Sequence, residues 1–209
     1  MRLRDFLKGG LLKEIVYYFY SIIPEIYSID IYLLKDNRLI KDLHPIDKKF
    51  YVKGLTINDS ERLKSFYKNS KHILPRLHDD AWVGLAVVDS TNNKIAYVSW
   101  VINKNIQFIN DFGISLSENQ FMVRHGFCAP EYRHQGLHTR MEQERLNYCY
   151  KNGADQVYVH IASKNKSGKR SLMENRFEFY KKSYVIRIGR FGIYRRLLSF
   201  IRNPFEKIL

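Results

Sequence analysis

The chain has 209 residues, a length that suits one domain with a substantial core and argues against two large domains. Apolar residues make up 45% of it, with 15 Tyr, 13 Phe and 2 Trp, a composition that excludes an intrinsically disordered chain. The formal net charge of +14 predicts an acidic partner: phosphate, nucleic acid, an anionic membrane face or an acidic carrier protein.

The two cysteines, Cys128 and Cys149, fall in a predicted strand and a predicted helix, and no Cys/His spacing resembles a zinc site. We therefore predict no metal site and a reducing compartment. The N-terminal apolar run from Ile15 to Ile23 is far shorter than the ~20 apolar residues of a membrane-spanning helix. It also lacks the small-residue cleavage site of a signal peptide. The expectation is a cytoplasmic protein.

The first 49 residues are predicted to form an N-terminal extension. Apolar residues at helical spacing predict a helix over residues 3–23, which Pro24 ends. A short strand from Ile29 to Lys35 follows it. Pro45 lies in the connection to the main domain. The extension is therefore predicted to cover residues 1–49, up to the first strand of that domain.

Residues 50–188 are predicted to form the main domain. Its first half contains a strand, KFYVKGLTI, and a helix, ERLKSFYKN, which Asp59 or Ser60 caps. The segments AWVGLAVVD and KIAYVSWVI then form two strands, and their connection, STNN, has the composition of a hairpin turn.

The second half of the domain begins with a fourth strand, QFMVRHGFCA, which Pro130 closes. A helix over residues 137–151 ends near Gly153, and an alternating strand, QVYVHIA, follows. A short helix near Ser167 to Glu174 precedes the last strand, FEFYKKSYVIRIG. This order predicts an α+β fold with a mixed, mainly antiparallel sheet flanked by helices and one parallel pair late in the chain.

Residues 189–209 are predicted to form a basic, amphipathic C-terminal segment. Eight Lys or Arg and one acid, Glu206, lie between residues 181 and 209. Arginines interleaved with aromatic and aliphatic side chains are typical of a segment that lies in a membrane interface. A helix or strand docked on the domain, with solvated arginines, is the alternative.

The stretch CAPEYRHQGLHTRM, from Cys128 to Met141, has the pattern of a strand end, a turn and a helix start. The first amides of a helix have no partner inside it, and the helix dipole favours an anion there. Arg133 and the amides from Gln135 to Thr139 are therefore predicted to bind a phosphate group. Gly136, which has no Cβ, lets the backbone approach the phosphates closely.

These residues resemble the Gcn5-related N-acetyltransferase (GNAT) superfamily. The run Arg133-His134-Gln135-Gly136-Leu137-His138 is similar to its pyrophosphate signature, Arg/Gln-x-x-Gly-x-Gly/Ala, with His138 in place of the small last residue. Asn165 lies twelve residues before Phe177, the separation of the Asn and Phe in the family's Asn-x-x-Ala…Gly-Phe segment, although Arg176 replaces the Gly. The resemblance covers about residues 50 to 188.

The resemblance implies acetyl-coenzyme A as the acyl donor and an amine as the acceptor. It implies that the parallel strands splay apart, and that backbone groups near Phe127, Cys128 and Ala129 hold the pantetheine arm and polarise the thioester carbonyl. A tyrosine protonates the leaving thiolate in many family members, but Leu172 stands at that place. Tyr180 is the candidate replacement, with Tyr184 near it and a bound water as the alternative.

His125 is the candidate general base, because an unperturbed histidine titrates near neutrality. Arg124 and His125 point to opposite faces of a regular strand, so a bulge decides which of them reaches the site. His160 is a second candidate. The carboxylates of Asp79, Asp80 and Asp111 are candidates for receiving a cationic substrate or are simply solvated.

The function predicted is transfer of an acetyl group from acetyl-coenzyme A to a primary amine of a small-molecule or sugar-linked acceptor, such as an amino sugar of a surface polysaccharide precursor. One alternative keeps the fold and takes the acyl group from an acyl carrier protein or a long-chain donor. Another is a non-catalytic protein that binds an anionic membrane or a nucleic acid. A peripheral position on the inner face of the membrane fits the basic C-terminal segment.

Overall fold

The computed structural model describes residues 24–35, 40–67, 70–106, 109–110, 113–188 and 193–200. For residues 24–27, 125, 185–188 and 193–200 it describes the backbone alone. The helix predicted over residues 3–23 lies outside the described part of the chain.

Eight strands and three α-helices have both ends within the described residues, and residues 109–110 are also helical. The strands are β1 (Pro24–Leu34), β2 (Phe50–Gly54), β3 (Trp82–Asp89), β4 (Lys94–Ile102), β5 (Gln120–Cys128), β6 (Gln156–Ala162), β7 (Glu178–Ile188) and β8 (Ile193–Phe200). The helices are α1 (Ser60–Phe66), α2 (Leu137–Lys151) and α3 (Lys166–Glu174). Short 3-10 turns cover Ile57–Asp59, Leu74–Leu77 and Pro130–Tyr132.

All eight strands belong to one sheet with the order β2-β3-β4-β5-β6-β1-β7-β8. Every neighbouring pair is antiparallel except β5 and β6, which run parallel. The predicted α+β class and the mixed, mainly antiparallel sheet with a parallel pair are therefore confirmed.

Strand β1 lies between β6 and β7 and pairs with both. At the edge of the sheet, β8 pairs with β7 and includes part of the predicted C-terminal segment 189–209. The predicted N-terminal extension and C-terminal segment thus contribute strands to the same sheet as the main domain. The division at residues 49 and 188 stays a prediction.

The sheet has an α2 face, covered by α2 and α3, and an α1 face, covered by α1. On the α2 face, Val123, Val159 and Leu172 belong to one buried cluster. On the α1 face, Leu63 of α1 packs with the fully buried Trp100. Burying an apolar side chain of this size contributes roughly 1.5–3 kcal/mol relative to its exposure, so both faces stabilise the sheet.

The observed strands differ from the predicted ones mainly at two ends. Strand β1 begins at Pro24 and ends at Leu34, five residues before the predicted start and one before the predicted end. Strand β2 ends at Gly54 because a capping turn follows it. In that turn the Asp59 carboxylate accepts hydrogen bonds from the Thr56 backbone N–H (3.0 Å) and hydroxyl (3.3 Å).

The segment between β1 and β2 is held against α2 by hydrogen bonds. The Asn147 side chain accepts a hydrogen bond from the Ile40 N–H (2.7 Å) and donates one to the Ile40 carbonyl (2.9 Å). Gln143 accepts from the His44 N–H at 2.6 Å, and Arg140 donates to the His44 carbonyl at 3.2 Å. These bonds hold His44 beside the first turn of α2.

Candidate functional site

Strands β5 and β6 separate after a short parallel pairing. The pairs run from Gln120–Gln156 to Val123–Val159, and beyond Val123 the register of β5 continues with β4 alone among the described strands. The separation that the family resemblance implied is therefore present, and it opens a gap between the C-terminal halves of two neighbouring strands.

A bulge lies in β5 at the start of this gap. Trp100 pairs with Arg124 and Val98 pairs with Phe127, so His125 and Gly126 together oppose Ser99. The bulge that the sequence analysis left open is thus present, and Arg124 shares the α1 face with Trp100. The proposed role of His125 as general base stays a prediction.

A cavity of about 420 Å³ lies at the gap, between the separated strands and the helices α2 and α3. Strand β5 contributes Arg124 and Gly126 to its lining, and β6 contributes Val159, His160 and Ile161. The other lining residues come from α2, from α3 and from its N-cap, and most of them are polar: His138, Glu142, Arg145, Asn165, Ser167, Gly168, Ser171 and Leu172. The predicted residues Asn165 and His138 are therefore brought to the same cavity.

The loop predicted to bind phosphate lies next to this cavity, at the start of α2. Arg133, His134 and Gln135 are exposed, and His134 and Gly136 have left-handed backbone conformations, with φ of 62° and 73°. Helix α2 begins at Leu137, directly after Gly136 as the N-cap. The loop therefore presents a cationic side chain and the first amides of a helix on one surface, as an anion site requires.

Glycine is required at position 136 for two reasons. The positive φ is one that side-chain-bearing residues rarely adopt, and an added Cβ would lie 2.5 Å from His44 Nε2. The segment before β2 therefore packs directly onto the phosphate-binding loop.

Asn165 caps α3 at the far wall of the cavity. Its side-chain oxygen accepts hydrogen bonds from the Gly168 N–H at 3.0 Å and from the Ser167 hydroxyl at 3.1 Å. A Cβ on Gly168 would overlap the Ile161 side chain, so glycine lets α3 lie close to β6. Asn165 therefore positions the helix that closes the cavity.

His138 is held between a tyrosine and a carboxylate. The Tyr97 hydroxyl lies 2.7 Å from His138 Nδ1, and His138 Nε2 lies 3.3 Å from a Glu142 oxygen. Because a carboxylate only accepts hydrogen bonds, Nε2 carries a hydrogen and the Tyr97 hydroxyl donates to Nδ1 when the ring is neutral. The bulky residue in the family's small position is thus fixed by two partners at the cavity wall.

Glu142 is the centre of a wider polar network. Its carboxylate accepts hydrogen bonds from the Ser171 hydroxyl at 3.2 Å and from the Asn175 amide at 3.1 Å. Arg145 lies 3.5 Å from the same carboxylate and donates to the Ser99 hydroxyl at 2.9 Å. These contacts compensate the burial of a negative and a positive charge beside the cavity.

Tyr97 is 1% exposed, and its hydroxyl is directed at Gly126 of the β5 bulge, where an added Cβ would overlap it. Burial raises the pKa of Tyr97 to about 12, although Arg145 acts in the opposite direction. The hydroxyl therefore keeps its proton at neutral pH and lies against the strand at which β5 and β6 separate.

The backbone groups predicted at Phe127, Cys128 and Ala129 differ in direction. The Ala129 N–H donates to the Ala96 carbonyl of β4 at 3.0 Å, so this N–H points away from the gap, and the role predicted for the backbone groups near Phe127 to Ala129 stays a prediction. Because backbone groups alternate sides along a strand, the N–H of Cys128 points away from β4 and toward the gap. Burial raises the pKa of the half-buried Cys128 thiol, with an opposing effect of Arg133.

Other predicted residues lie farther from the cavity. Tyr180 packs edge-on against Tyr158, with ring centroids 5.7 Å apart, and Tyr158 belongs to an α1-face cluster, away from α3. Asp79 accepts a hydrogen bond from the Ala81 N–H, and Asp80 forms an exposed ion pair with Lys104. Asp111 lies outside the described residues.

The sequence analysis missed Tyr97, Glu142 and Arg145. A spacing of four residues places His138 and Glu142 on the same helix face, and this pattern was the available signal. In the part of the chain that the structure describes, no group of three His, Cys, Asp or Glu side chains is arranged to hold a metal ion. Nor do the described ranges contain a helix long and apolar enough to cross a membrane.

No protein-family model matches the chain, and no curated protein matches it. Solved structures do. A tandem GNAT protein from the clavulanic acid biosynthesis pathway superposes with a TM-score of 0.58 at 10% identity, over 84% of this chain and 57% of the other. A Gcn5-related N-acetyltransferase from Sphaerobacter thermophilus superposes with a TM-score of 0.50 at 10% identity, over 86% of this chain and 56% of the other. A Drosophila protein superposes with a TM-score of 0.60 at 10% identity, over 86% of this chain and 56% of the other.

The chain therefore has the GNAT fold, as the resemblance implied. It spans a little more than half the length of these three proteins. At 10% identity the likeness describes the arrangement of strands and helices, so the chemistry has to be argued from the residues at the cavity.

Proposed function

We propose that this chain, with its GNAT fold, is an acyl-coenzyme A-dependent N-acyltransferase, most specifically an acetyltransferase. The observation that carries the proposal is the gap between β5 and β6, which opens directly beside the anion-binding loop at the start of α2. A pyrophosphate and a thioester are joined in coenzyme A by an extended arm, and the loop and the gap offer one place for each.

The residues present fit such a donor. Arg133 and the amides from Gln135 to Thr139 would hold the pyrophosphate, since their loop is exposed and begins a helix. The cavity between α2, α3 and the separated strands would take the pantetheine arm, which can hydrogen bond with polar groups such as Asn165 and Ser167 at its wall.

Transfer requires that the amine nitrogen bond to the thioester carbonyl carbon while the carbon–sulfur bond breaks. The amine loses one proton and the departing sulfur gains one, so the reaction is balanced without any further reagent. The Cys128 N–H, directed at the gap, is placed to donate to the carbonyl oxygen as negative charge develops on it.

We assign Tyr97 as the proton donor to the departing sulfur. Its hydroxyl lies against Gly126 at the gap, burial raises its pKa to about 12 and keeps it protonated, and its O–H turns from His138 Nδ1 toward the sulfur to donate. His138 and Glu142 position this hydroxyl through the 2.7 Å and 3.3 Å contacts. This assignment accounts for Leu172 at the place where many GNAT proteins carry a tyrosine.

The cavity supports a short acyl group. Glu142 and Arg145 are 9% and 6% exposed and lie in its wall, so a long hydrocarbon chain would be placed against buried charges. An acetyl group on coenzyme A is therefore proposed as the donor in preference to a long-chain acyl group or an acyl carrier protein. The proposed acceptor is the primary amine of a small or sugar-linked molecule.

The cellular place of the reaction is a further part of the proposal. The net charge of +14 and the basic segment 189–209 support a cytoplasmic enzyme that contacts the inner face of an anionic membrane. Sedimentation with phosphatidylserine vesicles and with neutral vesicles tests this point, because only the anionic vesicles should retain the protein, and less of it at high salt.

Calorimetric titration of acetyl-coenzyme A tests the donor. We expect saturable binding to the wild type and its loss in an Arg133→Ala, Gly136→Glu double variant that keeps the wild-type circular dichroism spectrum. Lys94→Ala, an exposed charge removed at the far hairpin, is the control and should bind as the wild type does. Absence of binding to the wild type would remove coenzyme A as the ligand.

A further inference from the structure

Two arginines and two tryptophans form a cluster on the α1 face of the sheet. The Arg76 guanidinium lies 4.3 Å from the ring centroid of Trp82 and 5.4 Å from that of Trp100. The Arg124 guanidinium lies 5.8 Å from the Trp82 centroid. Tyr67 completes the cluster, since Arg76 and Trp100 both act on its pKa.

The cluster has more hydrogen-bond donors than acceptors. Trp100 is fully buried, and its Nε1–H donates to the Tyr67 hydroxyl oxygen, which acts to lower the pKa of Tyr67. As a donor, the Tyr67 O–H has no partner among the residues that the structure describes, and neither has Nη1 of Arg76. Buried donors are satisfied in nearly all proteins, so two neighbouring ones call for an acceptor supplied from outside the described residues.

The charges of the cluster favour an anion as that acceptor. Burial lowers the pKa of Arg76 to about 10 and that of Arg124 to about 9, and the charge of Arg76 lowers the second value further. Both guanidinium groups are therefore cationic at neutral pH, and an anion between them would relieve their repulsion. Burial also raises the pKa of Tyr67 to about 12, so its hydroxyl remains a donor.

The cluster lies on the α1 face, beside the β5–β6 gap. Arg124 is the first β5 residue beyond the parallel pairing, and Phe127 on the same face is 40% exposed. Phe127 packs against Phe66 and Tyr67, with ring centroids 5.4 Å and 5.8 Å away. Because the acyl donor would fill the α2 face, an acceptor has to reach the thioester from this side.

We propose that this cluster, Tyr67, Arg76, Trp82, Trp100 and Arg124, binds an oxyanion group of the acceptor and so selects amines that carry a carboxylate or a phosphate. Its place in the reaction rests on the proposed acyltransfer. The partly exposed Tyr67, Arg76 and Trp82 admit the anion, while Trp100 and Arg124 form the floor.

The site can be tested without coenzyme A, because Trp82 and Trp100 are the only tryptophans in the chain. Intrinsic tryptophan fluorescence therefore reports on this cluster alone. The probes are inorganic phosphate and N-acetylglycine, each titrated at constant ionic strength, with the uncharged N-acetylglycinamide as the matched ligand. We expect a saturable change with at least one of the two anions and none with the amide. The stronger anion identifies phosphate or carboxylate as the group selected.

Three variants distinguish specific binding of the anion by this cluster from a general effect of the protein's positive charge. Arg76→Gln should weaken anion binding roughly tenfold or more, and Tyr67→Phe should weaken it less, because one removes a charged donor and the other a neutral one. Lys94→Gln removes the same single charge from an exposed position and should bind as the wild type does. Near-ultraviolet circular dichroism verifies that each variant keeps its folded core.

Two results would overturn the proposal: no saturable response to either anion in the wild type, or equal loss of response in Arg76→Gln and Lys94→Gln. Neither result would contradict the proposed coenzyme A site, because acetyl-coenzyme A binding is measured separately. Anion binding in a protein that fails to bind acetyl-coenzyme A would instead retain the anion site and remove the proposed reaction.

Discussion

The Tyr97 hydroxyl and His138 Nδ1 lie 2.7 Å apart and join β4 to the first turn of α2 across 41 residues of sequence. GNAT sequences favour a small residue at the position of His138, where a large side chain would seem to narrow the phosphate-binding loop. Here the histidine is bonded to Tyr97 and Glu142 at the cavity wall, where the proton path proposed through the Tyr97 hydroxyl would run.

Replacing Tyr97 with Phe removes this path while leaving the ring in place. We expect kcat to fall by roughly 10²-fold, the usual effect of losing a positioned acid, with the affinity for acetyl-coenzyme A nearly unchanged. Steady-state kinetics and calorimetry measure the two quantities. Tyr132→Phe is the control, because that buried hydroxyl bonds Asn92 away from the cavity. An equal effect of both substitutions would remove Tyr97 from the chemistry.

Gly126→Ala tests the contact between the bulge and the hydroxyl. The new Cβ would overlap the Tyr97 hydroxyl, so we expect a loss of about 1–3 kcal/mol in the free energy of unfolding and a lower kcat. Gly54→Ala, with no atom within 4 Å of the new Cβ, is the matched control for urea unfolding. In a Tyr97→Phe background the same change should cost less, because the overlapping oxygen is gone.

Gly136→Ala and Gly153→Ala separate backbone strain from packing. Both positions have positive φ, 73° and 81°, so each substitution should cost about 1–2 kcal/mol of stability. Only Gly136 faces His44, and we expect its variant to unfold at lower urea and to bind acetyl-coenzyme A less tightly. His44→Ala should recover part of that stability. Equal unfolding midpoints for the two glycine variants would contradict the contact.

The two cysteines should differ in alkylation by iodoacetamide. Burial raises the pKa of the fully buried Cys149 to about 12, whereas Cys128 is half-buried and beside the gap. Since the thiolate is the reactive form, we expect Cys128 to be labelled faster as pH rises and Cys149 to react only on unfolding. Mass spectrometry of digested protein reads both sites. Bound acetyl-coenzyme A should protect Cys128, and labelling of Cys149 first would refute the assignment.

Asp59 should stabilise the turn after β2 in a pH-dependent way. Burial acts to raise the pKa of this carboxyl, but hydrogen bonds from Lys53 and Thr56 and the nearby Arg62 hold it below its usual value. Its contribution is therefore present above the unfolded pKa, near 3.9, and is lost as pH falls through the folded value.

Asp59→Asn should accordingly lower the free energy of unfolding at pH 7 by about 1–3 kcal/mol, and the difference from wild type should shrink below about pH 4. Urea unfolding across this range measures it. Asp42→Asn, at an exposed position, serves as the control. A difference that stays constant down to pH 3 would show that the charge of Asp59 is not responsible.

Local signals predicted most of the elements correctly. Helix α2 has the predicted bounds, residues 137–151, because Gly136 and Gly153 mark both ends by their backbone conformations. The parallel pair followed from the order of strands and helices. The position of β1 between β6 and β7 did not, since the sheet neighbours of a strand depend on residues far away in sequence.

The candidate site was predicted only in part. The loop around Arg133 and the cap at Asn165 have short-range patterns, so both were found from sequence. Tyr97 was missed because its contact with His138 joins two elements and has no local pattern. The cluster that contains Tyr67, Arg76 and Trp100 on the α1 face was missed for the same reason.

The central position of β1 also affects how the protein is made. A bond joins Asp30 of β1 to Ser163, 133 residues later, and β1 pairs with β7 still farther along the chain. On the ribosome, β1 is synthesised first but finds its partners last, and such non-local pairing slows folding. We therefore expect the nascent chain to expose an apolar strand with two unpaired edges for most of its synthesis, and to depend on chaperones during that interval.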